Sequence, residues 1–557
     1  MMLKGSQIMI ECLKKEGVDI IFGYPGGTIM PFYDALYDEP EIKHILTRHE
    51  QGAAHAADGY ARATGKVGVC VSTSGPGATN LVTGIATANM DSVPMVAFTG
   101  QVPTQLIGTD AFQEADITGI TAPITKHNYL VNDVKKLAYT IKEAFYIAST
   151  GRPGVVVIDL PKDVLVNEAE FHYPKRISLM GYKLVKSGNI SQVKMAAKEI
   201  MAAKRPVIIS GGGVIMGDAC EELDALVKKC NIPVTTTLMG KGSFDERSDF
   251  SLGMIGMHGT AYSNYAICEA DLIISLGTKF SDRVTGKISE FAPHARLIHI
   301  DIDPAEIGKN VGVDIPIVGD VKETLKDLSA LVSEKSHDEW LERIADWKAK
   351  HPLVSFNPDV LNPQFIINSI YEETGGDAII VTEVGQNQMW AAQYFTYSKP
   401  RTFLSSGGLG TMGYGFPAAI GAKAAFPDRA VFDIAGDGSI QMNIQELATS
   451  VREDLDVNII ILNNSYLGMV RQWQELFYDK RYASTHLKGN PDFVKLAEAY
   501  GAKGRRVEEK KDFVPALKDA LNSGSTYLLD CVIPCEENVY PMVAPGACIN
   551  KMMGVGE

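Results

Sequence analysis

Asp437 and Asn464 are an oxygen-donor pair of the kind that holds a hard divalent cation, and both belong to one unit, AVFDIAGDGSIQMNIQELATSVREDLDVNIIILNN, from Ala430 to Asn464. The apolar run Val431 to Ala435 breaks at Gly436, Asp437 and Gly438, and Ser439 is expected to open a helix with Met442, Leu447 and Val451 on one side. After the acidic turn around Asp454, the branched run Val457 to Leu462 stops at Asn463 and Asn464, as a buried parallel strand does. A βαβ unit of this kind delivers Asp437 and Asn464 to the carboxyl ends of two parallel strands, at the crevice where open α/β sheets bind ligands. Mg2+ takes oxygen ligands, here one carboxylate and one amide carbonyl, and completes its shell with water and substrate phosphates. The chemistry expected of the pair is diphosphate binding through Mg2+. Gly-Asp-Gly alone is also an ordinary turn; the reading rests on its separation from the paired asparagines.

The elements that position the remaining chemistry follow a similar plan. Between Val18 and Leu165, DIIFGY, KHILTRHE, GVCVSTSG, PMVAFTG and GVVVIDLP are five strand candidates, each closed by a Gly, Pro or polar break, so a doubly wound parallel sheet is expected. Ligand groups fall at the strand ends: Gly26 and Gly27, Glu50, Ser74 to Asn80 with Pro76 between them, and Gln113. Glu50 reads as the end of a strand, and the small residues after it let a helix pack closely, although a lone glutamate there is ordinarily just solvated. Asn167 to about Gly188 is polar and basic and reads as a linker.

Pro206 to Ser210 is a short strand ending in Gly211, Gly212 and Gly213, where backbone can approach a dinucleotide closely, although a plain glycine turn has the same sequence. LIISLGTKF ends at Gly277, LIHIDID sets Asp301 and Asp303 at a strand end where an acid can bond ribose hydroxyls, and Gly319 and Asp320 follow a third strand. The polar stretch Ser333 to Asn362, with breaks at Pro352 and Pro358, reads as a second linker. A last domain starts near Pro363, with AIIVTEVG as its first strand and SSGGLGTMGYGFPAAIGA opening a helix whose amides can meet phosphate. In SYLGMVRQWQELFY, Met469, Val470 and Trp473 recur at helical spacing, a stripe more often core than pocket.

Composition bounds these readings. A chain of 557 residues, 45% hydrophobic and 22% charged, is ordinary for a globular protein with ample core. A formal charge of −14 argues against nucleic acid or an anionic membrane surface as partner. The eight cysteines include no CxxC pair, and Cys531 with Cys535 lacks companions for a zinc site, which suits a reducing cytoplasm. MMLKGSQIMIECLKKEG has the pattern of an amphipathic helix rather than a signal peptide, and no run is long enough to span a bilayer.

The motifs FGYPGGTIMPFYDAL, RHEQGAAHAADGYARATG, STSGPGATN, GRPGVVVIDLPKDV, SLGMIGMHGT, SDRVTG, SSGGLGTMGYGFPAAIGA, the GDG-to-NN unit and GMVRQWQELFY together resemble the catalytic (large) subunit of acetohydroxyacid synthase, also called acetolactate synthase, over nearly the whole chain. The resemblance implies an α/β protein of three doubly wound domains of the thiamine diphosphate (ThDP) enzyme type: 1–166 pyrimidine-binding, 189–332 central and FAD-binding, 363–557 diphosphate-binding with a C-terminal lid. The first and third would then be one repeated architecture. It implies Asp437, Asn464 and the Tyr466 carbonyl as Mg2+ ligands, and Glu50 as the acid that drives tautomerisation of the aminopyrimidine. Gln113 and Phe112 match a pair near the reacting carbonyl, and Gly27 a backbone position close to the thiazolium. Pro76, Asn80, Gln386, Gly410, Met412, Gly438, Ser439 and Met469 match further ThDP contacts, with Asn387 standing where the family often has His.

FAD contacts are implied for Arg152, Gly211, His258, Gly259, Gly277, Lys279, Arg283, Asp301 and Asp320, the flavin being mainly structural in that family. Trp473 matches the tryptophan that favours 2-oxobutanoate as the second substrate, and marks the biosynthetic branch. Arg283, with Lys162 second, is the candidate for binding the anionic 2-oxoacids. Because the family places its glutamate across a subunit interface from the metal, an obligate homodimer with two shared active sites is expected. The sequence leaves open whether dimers pair into tetramers and whether a separate regulatory subunit exists. The expected reaction decarboxylates pyruvate and condenses it with pyruvate or 2-oxobutanoate, the first common step of valine, leucine and isoleucine biosynthesis. The alternatives are a related ThDP decarboxylase or pyruvate oxidase, a glyoxylate carboligase, against which Glu50 counts, and a non-catalytic FAD or nucleotide-binding module.

Overall fold

Short branched apolar runs punctuated by glycine and alternating with helices bury best as parallel sheets covered on both faces. In the computed structural model, which describes residues 1–353 and 359–555, they form three six-stranded sheets in which every pairing is parallel. The first runs in the order Lys43–Leu46, Ile20–Gly23, Gly68–Ser72, Met95–Gln101, Val155–Pro161, His127–Leu130. All five strands expected from the sequence are there. The sixth, His127–Leu130, is a short edge strand with no fully buried residue, so it carries little apolar signal.

The third sheet runs Phe403–Leu404, Ala378–Thr382, Ala430–Gly436, Asn458–Asn463, Tyr527–Val532, Lys503–Val507. Numbered by sequence within each domain, both end sheets have the order 2-1-3-4-6-5, so the chain does repeat one architecture at its two ends. The middle sheet, Ser251–Met254, Val234–Thr236, Pro206–Ser210, Leu272–Leu276, Arg296–Asp301, Ile315–Val318, has the order 3-2-1-4-5-6. That order opens a crevice between its first and fourth strands, where dinucleotides bind in sheets of this topology.

Three local expectations are corrected. Ser439 does not open a helix: two 3-10 turns, Ile440–Met442 and Ile444–Glu446, precede the helix Leu447–Arg452, and Met442 faces solvent while Leu447 is buried. Glu50 does not end a strand: the strand stops at Leu46, and Glu50 is the first residue of the helix Glu50–Thr64, capped by the His49 ring, which accepts from the Gln51 amide at 3.1 Å. The linkers are not wholly irregular. Glu168–Glu170 pairs antiparallel with Met2–Lys4, and the second linker contains the helix Asp338–Lys350, whose Trp340 and Ile344 are buried in the central core. The Pro358 break lies outside the described residues. The amphipathic N-terminal helix is present as Gly5–Lys15.

The alanines and glycines after Glu50 serve a close helix crossing. The helix Glu50–Thr64 lies against Gly415–Ala425 of the third domain, and one apolar cluster runs through both domains, from Phe22 to Leu528. A β-carbon at Gly59 would lie 2.1 Å from the Ala418 carbonyl oxygen, and one at Gly421 would lie 1.9 Å from that of Ala56. Backbone cannot yield as a side-chain tip can. Gly421→Ala is therefore expected to destabilise the protein by roughly 1–3 kcal/mol, the usual cost of overpacking, read as a lower denaturant midpoint at unchanged m-value. Among the described residues no helix is long and apolar enough to cross a membrane.

Candidate active site

Asp437 follows the strand Ala430–Gly436 and Asn464 follows Asn458–Asn463, and these strands are adjacent, with Gly436 opposite Leu462. The two donors are neighbours at the carboxyl ends of adjacent strands: the Asn464 backbone N–H is close enough to favour the charged Asp437 carboxylate, and the Asn490 side chain donates to that carboxylate at 2.6 Å. Burial pushes the Asp437 carboxyl up to about 6, against the opposing pull of the Asn490 side chain and of the Asp437 and Asn464 backbone amides. A carboxylate held this way gains most from a cation. The Asn464 side-chain oxygen Oδ1 accepts from the Tyr466 amide at 3.0 Å, which tightens the turn that carries the Tyr466 carbonyl. Among the described residues no group of three or more His, Cys, Asp or Glu could hold a metal, so a cation here would depend on this mixed oxygen set and on its ligand's phosphates.

The surrounding residues converge on the same turn. The Gly436 amide donates to the Ser439 hydroxyl, which closes the Gly-Asp-Gly loop. The Met412 methyl lies 3.8 Å from where a Gly438 β-carbon would sit. Gln386 reaches Asn464 directly, accepting from its amide nitrogen at 3.2 Å. Asn387 points elsewhere, donating to the Ile434 carbonyl at 2.7 Å, so its side chain serves the strand.

In the first domain the structure brings together Glu50, Asn80, Gly77, Gly75 and Gln113. Asn80 donates to the Glu50 carboxylate at 2.9 Å, a Gly77 β-carbon would lie 3.1 Å from that carboxylate, and one at Gly75 would lie 2.8 Å from the Gln113 carbonyl. Glu50 is buried, and Gln113 holds a left-handed backbone at φ 59°. Gly27 has open space where a β-carbon would be, while Phe112 is 88% exposed and Lys162 and Pro76 also face solvent.

A cavity of about 1000 Å3 lies where all three domains meet. Its walls include Arg152 with Asp91 and Ser92 from the first domain, His258, Gly277, Lys279, Arg283, Asp301 and Asp320 from the middle one, and Gly410, Met469 and Trp473 from the third. Gly211 and Gly277 meet backbone to backbone beside it: a Gly211 β-carbon would lie 2.2 Å from the Gly277 carbonyl, and Gly277 itself has φ 53°, so the approach requires glycine. Gly259 is packed as tightly on the Met254 carbonyl. Burial pushes Asp301 up to about 6, and burial followed by the Arg152 charge holds the Lys279 ammonium below its ordinary range. Arg152 is already paired with Glu306 at 2.7 Å and Asp303 at 3.0 Å, and Asp320 caps the helix Val321–Leu331. Burial pushes the His258 imidazole down to about 4.

Arg283 lies 5.6 Å from the Trp473 ring centroid, a cation–π contact at the cavity wall. Lys162, Phe112, Glu50, Gln113 and Gly27 do not line this cavity, nor does the tail segment Asn538 to Gly546. That tail is folded down: Val539, Met542 and Val543 are buried, and the Val543 amide donates to the Met257 carbonyl at 2.9 Å.

Sequence reasoning missed several side chains that hold these pieces. Asn490 has no local signal, lying in a loop well beyond the strand it serves. Glu446 accepts the amides of Arg48 and His49, each at 3.0 Å, and so tethers the start of the Glu50 helix to the third domain; an acid between the apolar Ile444 and Leu447 was the available hint. Asp91 accepts from Arg62 and from the Gly407 and Gly408 amides, at 3.0 and 2.8 Å, and fixes the glycine-rich loop that leads to Gly410.

Three family models match: thiamine pyrophosphate enzyme, N-terminal TPP binding domain, over residues 3–120; the central domain of the same enzymes over 193–328; and their C-terminal TPP binding domain over 383–531. A "Probable acetolactate synthase large subunit" of Methanocaldococcus jannaschii is 54% identical over 99% of this chain and 95% of its own length. The acetolactate synthase large subunit of Cyanidium caldarium is 50% identical over 99% of this chain and 97% of its own, and an acetolactate synthase of Mycobacterium bovis is 51% identical over 98% and 90%.

Proposed function

The chain belongs to the acetolactate synthase large subunits of the thiamine pyrophosphate enzyme family, and from that premise we propose that it condenses pyruvate with a second 2-oxoacid, giving 2-acetolactate or 2-aceto-2-hydroxybutanoate. The carrying observation is the contact between the ends of two adjacent strands, where Asp437 and Asn464 supply the oxygen donors that a Mg2+-bound diphosphate needs. When bound, the coenzyme supplies a thiazolium carbon that adds to the oxoacid carbonyl and accepts the electrons left by CO2.

The protein's own groups do the rest. Asp437, Asn464 and the Tyr466 carbonyl hold the cation, with Asn490 keeping the carboxylate in place. Gly436 and Ser439 shape the turn that would face the diphosphate, and Met412 and Gly410 would support the coenzyme's ring end. Glu50, buried and steadied by Asn80, exchanges a proton with the aminopyrimidine. Glu50 does not line the cavity that holds Trp473 and Met469, which favours a homodimer in which each site takes its glutamate from the other protomer.

Arg283 binds the oxoacid carboxylate at the cavity wall, and Trp473 beneath it narrows the space for the acceptor. The middle domain binds FAD: its 3-2-1-4-5-6 order, the glycine contact at Gly211 and Gly277 and the carboxyl of Asp301 at a strand end suit a dinucleotide. The protein works in the cytoplasm, and the large-subunit names of its relatives fit a separate regulatory subunit.

Incubating the purified protein with ThDP, Mg2+, FAD, pyruvate and 2-oxobutanoate tests this. The two acetohydroxyacids are the expected products; acetaldehyde or acetyl phosphate in their place overturns the reading. Trp473→Leu is expected to lower the share of 2-aceto-2-hydroxybutanoate about tenfold, the scale on which one apolar pocket contact discriminates, measured as product ratio at fixed substrate ratio.

A further inference from the structure

The helix Gly468–Phe477 carries Met469 and Trp473 into the cavity, yet its two buried positions are polar, Arg471 and Gln472. A buried amide costs stability unless every valence is met. Gln472 is 0% exposed and meets all four. Its carbonyl oxygen accepts from Gln386 and from the Val539 amide, both at 2.9 Å; its NH2 donates to the Val539 carbonyl at 3.0 Å and to the Met542 sulfur at 3.3 Å. It therefore pairs with Val539 as a neighbouring strand would, and the bond it accepts from Gln386 leads on to Asn464. The helix start is built around the same network. A β-carbon at Gly468 would lie 2.1 Å from the Gln386 oxygen and 2.8 Å from the Asn464 nitrogen.

We propose that Gln472 is a positioning residue through which the docked C-terminal segment 537–543 sets the side chain of Asn464 and the placement of Trp473. The proposal rests on the reading of Asn464 as a metal ligand. With Gln472 in place, its oxygen and the Glu537 carbonyl, at 2.9 and 3.1 Å, both accept from the Gln386 NH2, so Gln386 is oriented to take the Asn464 NH2 and the Asn464 side-chain oxygen is left on the side where the Tyr466 amide meets it. Without it, the Val539 amide and carbonyl and the Gln386 NH2 all lose a partner inside the protein.

Three variants separate the branches. Hydrogen exchange at the Val539 amide is measured in the metal-free protein, and Mn2+ retention in the presence of ThDP is read by electron paramagnetic resonance. Gln472→Leu is expected to speed exchange at Val539 and to weaken Mn2+ retention, each about tenfold. Gln386→Leu is expected to weaken Mn2+ retention alone, since both Val539 bonds remain. Gln472→Glu keeps the two accepting bonds, the one from the Val539 amide included, and loses the donating ones, so it is expected to restore both Mn2+ retention and slow exchange at Val539 to within about threefold of wild type. Wild-type exchange and retention in Gln472→Leu would overturn the proposal. Should that variant fail to fold, Gln472→Glu and Gln386→Leu decide: wild-type Mn2+ retention in Gln386→Leu, or weakened retention in Gln472→Glu, overturns it equally. Asn464→Ala serves as the reference: if it too retains Mn2+, the metal reading itself is wrong, whereas loss there with retention in Gln472→Leu removes only the positioning role.

Discussion

Glu50→Gln is expected to fold normally and to lose most of its turnover, by roughly 10^2- to 10^4-fold, the usual contribution of a positioned acid or base. Folding survives because the hydrogen bond that the Glu50 side chain accepts from the Asn80 amide at 2.9 Å can be accepted equally by the glutamine oxygen. The helix start is held independently by the His49 ring and by Glu446. Only the exchangeable proton is removed. Circular dichroism and ThDP retention should therefore match wild type while acetolactate formation collapses; near-normal product formation would exclude the role proposed for this residue. Mixing Glu50→Gln with an Asp437→Ala variant adds a test of the shared site. Hybrid dimers then contain one site with both defects and one with neither, so activity should return to a fraction of wild type, and its absence would count against the exchange of glutamates between protomers.

Asp437→Ala carries the second large effect. It removes the single carboxylate of the oxygen set, so retention of the divalent cation and of ThDP should fall by more than about 100-fold, since even loss of an outer-shell partner costs about 10- to 100-fold. Asn490→Ala supplies that smaller loss, because Asn490 donates to the same carboxylate at 2.6 Å. Equilibrium dialysis with Mn2+ in place of Mg2+ measures both. If Asp437→Ala retained cofactor as well as wild type, the diphosphate would have to be held elsewhere in the third domain.

Most of the scaffold could be read from the sequence because parallel strands buried on both faces announce themselves as branched apolar runs ending in glycine or asparagine. Val457 to Leu462 and Leu272 to Leu276 are examples, and both are strands. What stayed hidden had no such contrast. His127–Leu130 is a half-exposed edge, and Val234–Thr236 is only three residues long. The site divided the same way. Asp437 and Asn464 were legible because strand ends and topology place them, whereas Asn490, Asp91 and Gln472 act through contacts between segments distant in sequence. The start of the helix after Gly438 was misjudged because Ser439 is a good capping residue by type, yet its hydroxyl is spent on Gly436 instead.

The apolar cluster shared by the two end domains bears on how the chain is made. Phe22, the alanines from Ala53 to Ala63 and Val155 are sealed by Phe416, Ile420, Val431 and Leu528, none of which exists until the final third of the chain has left the ribosome. The first domain must wait, its small-residue helix face uncovered, through the synthesis of the whole middle domain. Contacts of such long sequence separation form slowly and leave the nascent chain open to misassembly. Ribosome-bound chains halted near residue 353 should be cut by protease within Glu50–Thr64, and the finished protein should resist at the same place.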